Sequence, residues 1–233
     1  MFLSPLPSPE SMHIPDGFLS VIVAVILWIV TVIVVGYALK RVNRDLGERQ
    51  VPTMGVLAAA IFAGQMLNFT VAGGTSGHLM GAAIATILLG PWAAILVMTT
   101  VVGVQALIFQ DGGLLALGAN VFNMGIIGVV VSYFAYTSIQ RIAGGKRWSI
   151  FASGFAAAWI SILAASLVTA LQLAFSGTSP ANIAIPTMAG IHALIGIGEG
   201  LITAAALAFL LRVRKDLVHP LCLPYTRRAQ EAA

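Results

Sequence analysis

The chain has 233 residues, 59% of them hydrophobic and only 9% charged, with a mean hydropathy of +0.97. That balance excludes a soluble globular domain and points to an integral membrane protein. The net charge of +4 comes from Lys and Arg grouped beside apolar stretches, a signature of membrane orientation rather than of nucleic-acid binding.

Residues 1–11 (MFLSPLPSPES) are polar and proline-rich and read as a disordered or non-native extension. They are followed by Met12-His13-Ile14-Pro15-Asp16-Gly17-Phe18. Ile14-Pro15 keeps this segment extended, and Asp16-Gly17 offers a turn and a cap for a helix beginning at Phe18. Seven apolar stretches then read as transmembrane helices: 18–39, 53–70, 78–90, 92–110, 114–139, 149–175 and 188–211. All ten prolines fall outside them, where a missing N–H costs little.

The third stretch is short. From His78 to Gly90-Pro91 it spans about 20 Å at helical rise, against a hydrocarbon core of roughly 30 Å. Its lead-in, Val71 to Gly77, contains Gly73-Gly74-Thr75-Ser76-Gly77. Non-helical backbone at membrane depth survives only where protein or a wet cavity satisfies it, so this segment is expected to fold over a site.

The expected architecture is therefore all-α, a single seven-helix membrane bundle over residues 12–215 with a tail at 216–233. All twelve basic residues occupy three places: 40–49, 141–147 and 212–228. Seven crossings put all three on one side, which the positive-inside rule makes cytoplasmic, leaving the N-terminus outside and the C-terminus inside. A multi-pass protein of the cytoplasmic (inner) membrane is expected. No Lys or Arg precedes the first span within residues 1–17, so it does not read as a cleaved signal. The single cysteine, Cys222, excludes an internal disulfide. Gly144-Gly145-Lys146-Arg147 lacks the spacing and hydroxyl residue of a phosphate-binding loop. Any ATP consumed must be hydrolysed by another polypeptide.

Polar side chains within apolar spans mark sites or pathways. They include His78, His192, Glu199, Gln65, Asn68, Gln105, Asn120, Asn123 and Gln172. His13, Asn68, His78, Asn120 and His192 all fall toward the outer half of the expected bundle. His13 reads either as an exposed terminal residue or as a metal ligand, and His78 as a helix cap or a ligand. His192 and Glu199, seven apart on one helix face, read as supporting residues around a ligand.

A chain beginning at Met12 would offer its α-amine, the amide nitrogen of His13 and the His13 imidazole as fused chelate rings, with His78 as a fourth nitrogen. Planar nitrogen coordination suits Ni(II) or Cu(II), and Co(II) less selectively. A chain beginning at Met1 turns that amine into a peptide nitrogen and reduces the set to His13, His78 and nearby amides or carbonyls. Met12 is the expected initiator.

At these residues the chain resembles the CbiM/NikM family, the substrate-binding membrane components of energy-coupling-factor (ECF) transporters for cobalt and nickel. The likeness runs through 12–18, 68–79 (Asn68 to Leu79), 112–120 (Gly112 to Asn120) and 192–199 (His192 to Glu199). It implies a seven-span fold and a metal site at Met12, His13 and His78, with Asn68, Asn120, His192 and Glu199 around it. The Gly-Gly-Thr-Ser-Gly-His segment is similar to that of nickel-type members. Ni2+ is therefore the expected cargo and Co2+ the alternative, with no resident cofactor. The resemblance also implies a transmembrane coupling protein and ATPase subunits as partners, with room for a small accessory membrane subunit.

Two other classes compete. An intramembrane metalloenzyme needs a general base beside its metal, commonly within His-Glu-x-x-His, and that motif is absent from the sequence. A stand-alone channel or secondary carrier calls for rings of acids or carbonyls, or for repeated halves, and neither pattern is visible.

Overall fold

The computed structural model describes residues 13–45, 51–66, 69–71, 75–144 and 146–214. Met12, Asn68, Cys222 and the expected terminal segments 1–11 and 216–233 lie outside the described residues. The order is α1 (Val21–Asp45), α2 (Val51–Gln65), β1 (Phe69–Val71), β2 (Thr75–Gly77), α3 (Ala82–Leu89) and α4 (Pro91–Ile108). Then come α5 (Leu117–Val121), a π-helical turn (Phe122–Ile127), α6 (Gly128–Ile142), α7 (Arg147–Phe175) and α8 (Ala181–Val213).

Among the described residues, five helices are long and apolar enough to cross a bilayer: Val21–Asp45, Pro91–Ile108, the continuous rod Leu117–Ile142, Trp148–Phe175 and Ala181–Val213. The helix Val51–Gln65 is apolar but shorter. α3 has eight residues, about 12 Å at helical rise. It is buried on every side rather than on one stripe. Ala82 and Ala85 pack in the main core with Ile95, Met98, Val129 and Ile162. Ala83 and Ile87 pack with Tyr136, Ala157 and Leu207. Small side chains allow this half-length helix to sit inside the bundle. α1 is the opposite case, exposing Val21, Ile22, Val25, Ile26 and Ile29, a face suited to lipid chains.

Three elements differ from the sequence expectations. The second helix stops at Gln65, and the chain then forms an antiparallel hairpin pairing Phe69 with Gly77 and Val71 with Thr75, so the fold is helical with one small β-hairpin. β2 delivers the chain directly to His78. The expected loop 176–187 is shortened because α8 begins at Ala181, so Pro186 lies inside a helix. Pro186 is exposed near the amino end, where losing one backbone bond costs least. The π-helical turn closes with the Gly128 N–H bonded to the carbonyl of Asn123, five residues back.

α7 and α8 form a helical hairpin. A Cβ at Gly196 or Gly200 would meet Trp159 at 2.9 Å or Phe155 at 2.6 Å, so these two small residues set how closely α8 lies on α7.

Candidate metal site

The segment before α1 is built into the bundle. Asn120 on α5 takes both polar groups of one peptide residue: the Ile14 N–H donates to its Oδ1 and its Nδ2 donates to the Ile14 carbonyl, each at 3.1 Å. The Gly113 N–H adds a third bond to the Ile14 carbonyl at 3.0 Å. Asp16 does not cap the first helix. Its carboxylate instead accepts from the N–H groups of Leu114, Leu115 and Ala116 at 3.0, 2.8 and 3.1 Å. These are the unsatisfied donors just ahead of α5. Ser20 stands at the start of α1, with the Val23 N–H 3.4 Å from its Oγ. Ile14 is further packed with Ala116 and Ala119.

Pinned in this way, His13 is buried, and its ring centroid lies 5.3 Å from that of the half-buried His78, with the planes tilted by 52°. Two imidazoles on one first-row ion, at metal–nitrogen distances of about 2.0 Å, place their centroids roughly 4.4–6.3 Å apart, from a right angle to a straight line. The observed separation falls inside that window. The His78 Nδ1–H donates to the Leu79 carbonyl at 2.8 Å, which leaves the lone pair on Nε2.

A cavity of about 210 Å³ adjoins the pair, lined also by Asn120, Asn123 and His192. His192 donates from Nδ1 to the Met188 carbonyl at 2.9 Å. Glu199 is not joined to His192. Its two carboxylate oxygens accept the N–H groups of Met80 and Gly81 at 2.6 and 2.7 Å, just beyond His78. Gly81 has φ +78°, and a Cβ there would meet Ile61 at 2.7 Å, so glycine is required at this bend. Asn123 and Gln172 exchange amide bonds across the cavity wall at 2.8 and 2.6 Å.

Of the expected site residues, the structure brings together His13, His78, Asn120 and His192 around one cavity, with Glu199 behind it. Among the described residues, no group of three or more His, Cys, Asp or Glu could hold a metal ion; His13 and His78 converge as a pair of imidazoles. Gln65 and Gln105, noted in the sequence only as polar residues within spans, are both fully buried, Gln105 against His13 and Gln65 against Gln105. Their signal was the cost of placing an amide inside an apolar span.

The sequence model of CbiM, described as the cobalt uptake substrate-specific transmembrane region, matches residues 13–217. The chain belongs to the CbiM family. A Haloquadratum walsbyi protein named for metal transport is 40% identical over 209 residues, covering 89% of this chain and 93% of that one. A fused Archaeoglobus fulgidus protein named for nickel transport, NikMN, is 40% identical over 215 residues, covering 91% of this chain and 70% of its own length. A crystal structure of a truncated transition metal transporter superposes with a TM-score of 0.78 at 36% identity, covering 86% of this chain and 99% of that one. This CbiM-family chain is thus a multi-pass transmembrane component of cobalt or nickel uptake.

Proposed function

We propose that the chain is the substrate-binding component of an ATP-driven ECF uptake system and that Ni2+ is its preferred cargo. The observation that carries this reading is the pair of imidazoles 5.3 Å apart in the lining of a cavity, with a hydrogen bond keeping the His78 lone pair on Nε2. In this reading Met12, His13 and His78 are the ligands. Met12 contributes the α-amine of a mature chain that starts there, and His13 contributes its own amide nitrogen and ring. Asn68, Asn120, His192 and Glu199 support them.

The basic residues support an orientation with the site outside. Lys40, Arg41 and Arg44 close α1, Arg141 closes α6, Lys146 precedes α7, and Arg212 and Arg214 end α8. With α2 and the buried α3 counted as crossings, seven spans leave the C-terminus in the cytoplasm. A transmembrane coupling protein and ATPase subunits supply the energy. The Archaeoglobus relative is named as a fused nickel transport protein and is covered over 70% of its length, which supports a small accessory membrane module among the partners.

Nickel uptake by whole cells expressing the complete system tests the reading. His13→Ala and His78→Ala should each abolish uptake while leaving the protein in the membrane, and normal uptake in both would refute it. Intact mass of the purified chain tests the amine ligand: a mature N-terminus at Met1 removes it.

A further inference from the structure

A single line of hydrogen bonds runs through the buried interior and ends on His13. The Gln65 Nε2 donates to the Met80 carbonyl at 2.7 Å. Gln65 Oε1 accepts from Gln105 Nε2 at 2.9 Å. Gln105 Oε1 lies 2.9 Å from His13 Nε2. Gln65 and Gln105 are both 0% exposed, so water cannot substitute for a missing partner.

The direction of this line is dictated by its first member. A backbone carbonyl only accepts, so Gln65 must turn its NH2 toward Met80 and its oxygen toward Gln105. That oxygen also only accepts, which turns the Gln105 NH2 toward Gln65 and its oxygen toward His13. The final acceptor requires an N–H at His13 Nε2. A neutral imidazole carries one ring proton, so the lone pair is on Nδ1. The reverse arrangement would leave the Gln65 oxygen facing the Met80 carbonyl at 2.7 Å, two buried acceptors with no proton between them. The Met80 peptide is itself held, since Glu199 takes the N–H groups of Met80 and Gly81.

We propose that Gln65 and Gln105 are positioning residues that select the His13 tautomer used for metal capture. This rests on the reading of His13 as a ligand. Nδ1 is the ring nitrogen nearer the His13 backbone, and it alone closes a six-membered chelate ring with the residue's own amide nitrogen. Nε2 points away from that backbone. The relay thus keeps the proton of the neutral ring on Nε2 and the ring lone pair on Nδ1, so that ring need not move its proton between nitrogens when an ion arrives.

The test is 15N NMR of the full chain in detergent, labelled at its histidine rings and free of metal, because the two neutral tautomers have distinct nitrogen signals. The wild-type His13 should show a single Nε2–H pattern. Gln105→Leu and Gln65→Leu should replace it with a mixture and weaken Ni2+ binding roughly 10- to 100-fold. Gln140→Leu, at an equally buried amide bonded instead to Ser149 and Ser153, should leave both readings unchanged. An Nδ1–H pattern in the wild type overturns the proposal without any variant. If His13→Ala still abolishes Ni2+ binding in that case, the ligand reading stands and the relay alone is refuted. An Nε2–H wild type whose His13→Ala variant binds Ni2+ normally refutes the ligand reading, and the positioning role with it.

Discussion

Glu199 on α8 grips the backbone of Met80 and Gly81 with its two carboxylate oxygens, at 2.6 and 2.7 Å. These peptides lie between His78 and α3, so α8 helps to set where His78 stands. Glu199→Gln keeps the size but offers one oxygen to two N–H donors and turns an NH2 against the other. Hydrogen bonds to charged groups contribute roughly 1.5–3 kcal/mol each, and the variant should lose about one of them. Thermal unfolding in detergent should show a lower midpoint, and nickel titration a weaker site. An unchanged titration would show that Glu199 supports the bundle and not the metal.

Asn120 makes a different prediction because it acts on the N-terminal segment. Its amide serves both the N–H and the carbonyl of Ile14 at 3.1 Å. Asn120→Ala removes both bonds, leaving the Ile14 carbonyl with the Gly113 N–H alone and taking from the Ile14 N–H the acceptor it has in Asn120. His13 should then leave its buried position. The expected result is at least a 10-fold loss of nickel affinity, of the size seen when residues supporting a ligand are removed, with helix content by circular dichroism unchanged. Hydrogen exchange at residues 13–16 should rise in parallel. Protection equal to the wild type would refute the clamp.

How much of this was readable from the sequence depended on whether local pattern or long-range contact decides each feature. Apolar length gave the five helices long enough to cross a bilayer among the described residues, and the shortness of the third stretch was visible from His78 to Pro91; the structure resolves it as the eight-residue α3. His13 and His78 stood out because each is an ionisable group beside glycine- or proline-bearing backbone. The role of Asp16 was not readable: turn chemistry offered the following helix, whereas the carboxylate reaches the turn just ahead of α5, about 100 residues away. Pro186 misled in the same way, since a proline suggests a boundary but is tolerated near an exposed helix start. Gln65 and Gln105 are 40 residues apart in the chain, on different helices, and no periodicity reveals that their amides meet.

Gly113 provides a steric test of the same clamp. A Cβ there would lie 1.9 Å from Asp16 Oδ1 and 2.3 Å from the Asp16 nitrogen. Neither backbone nor a carboxylate already bonded to Leu114, Leu115 and Ala116 can yield that distance. Gly113→Ala should therefore displace the whole 13–16 segment and abolish uptake. Gly36→Ala, where nothing lies within 4 Å of the new Cβ, should transport normally. Membrane abundance of the two variants, compared on the same blot, separates lost binding from lost protein. Normal uptake by Gly113→Ala would show that the segment does not need its present path.

Proton competition distinguishes the full chelate from a site of imidazoles alone. Nickel and protons compete for the same lone pairs, so affinity must fall as pH falls in either case. The slope differs. If the Met12 amine and the His13 amide both bind, about two protons leave per ion, and the apparent affinity should rise by about two log units per pH unit while both groups are protonated in the free protein. Two neutral imidazoles alone release none above their own titration range, giving a flat profile there. Nickel titration in weak buffer with a pH indicator counts the released protons directly. Nickel should also displace cobalt, following the usual order of affinities for nitrogen ligands. A mature chain that starts at Met12 yet releases no protons on binding nickel would exclude the amine and amide nitrogens and confine the site to His13 and His78.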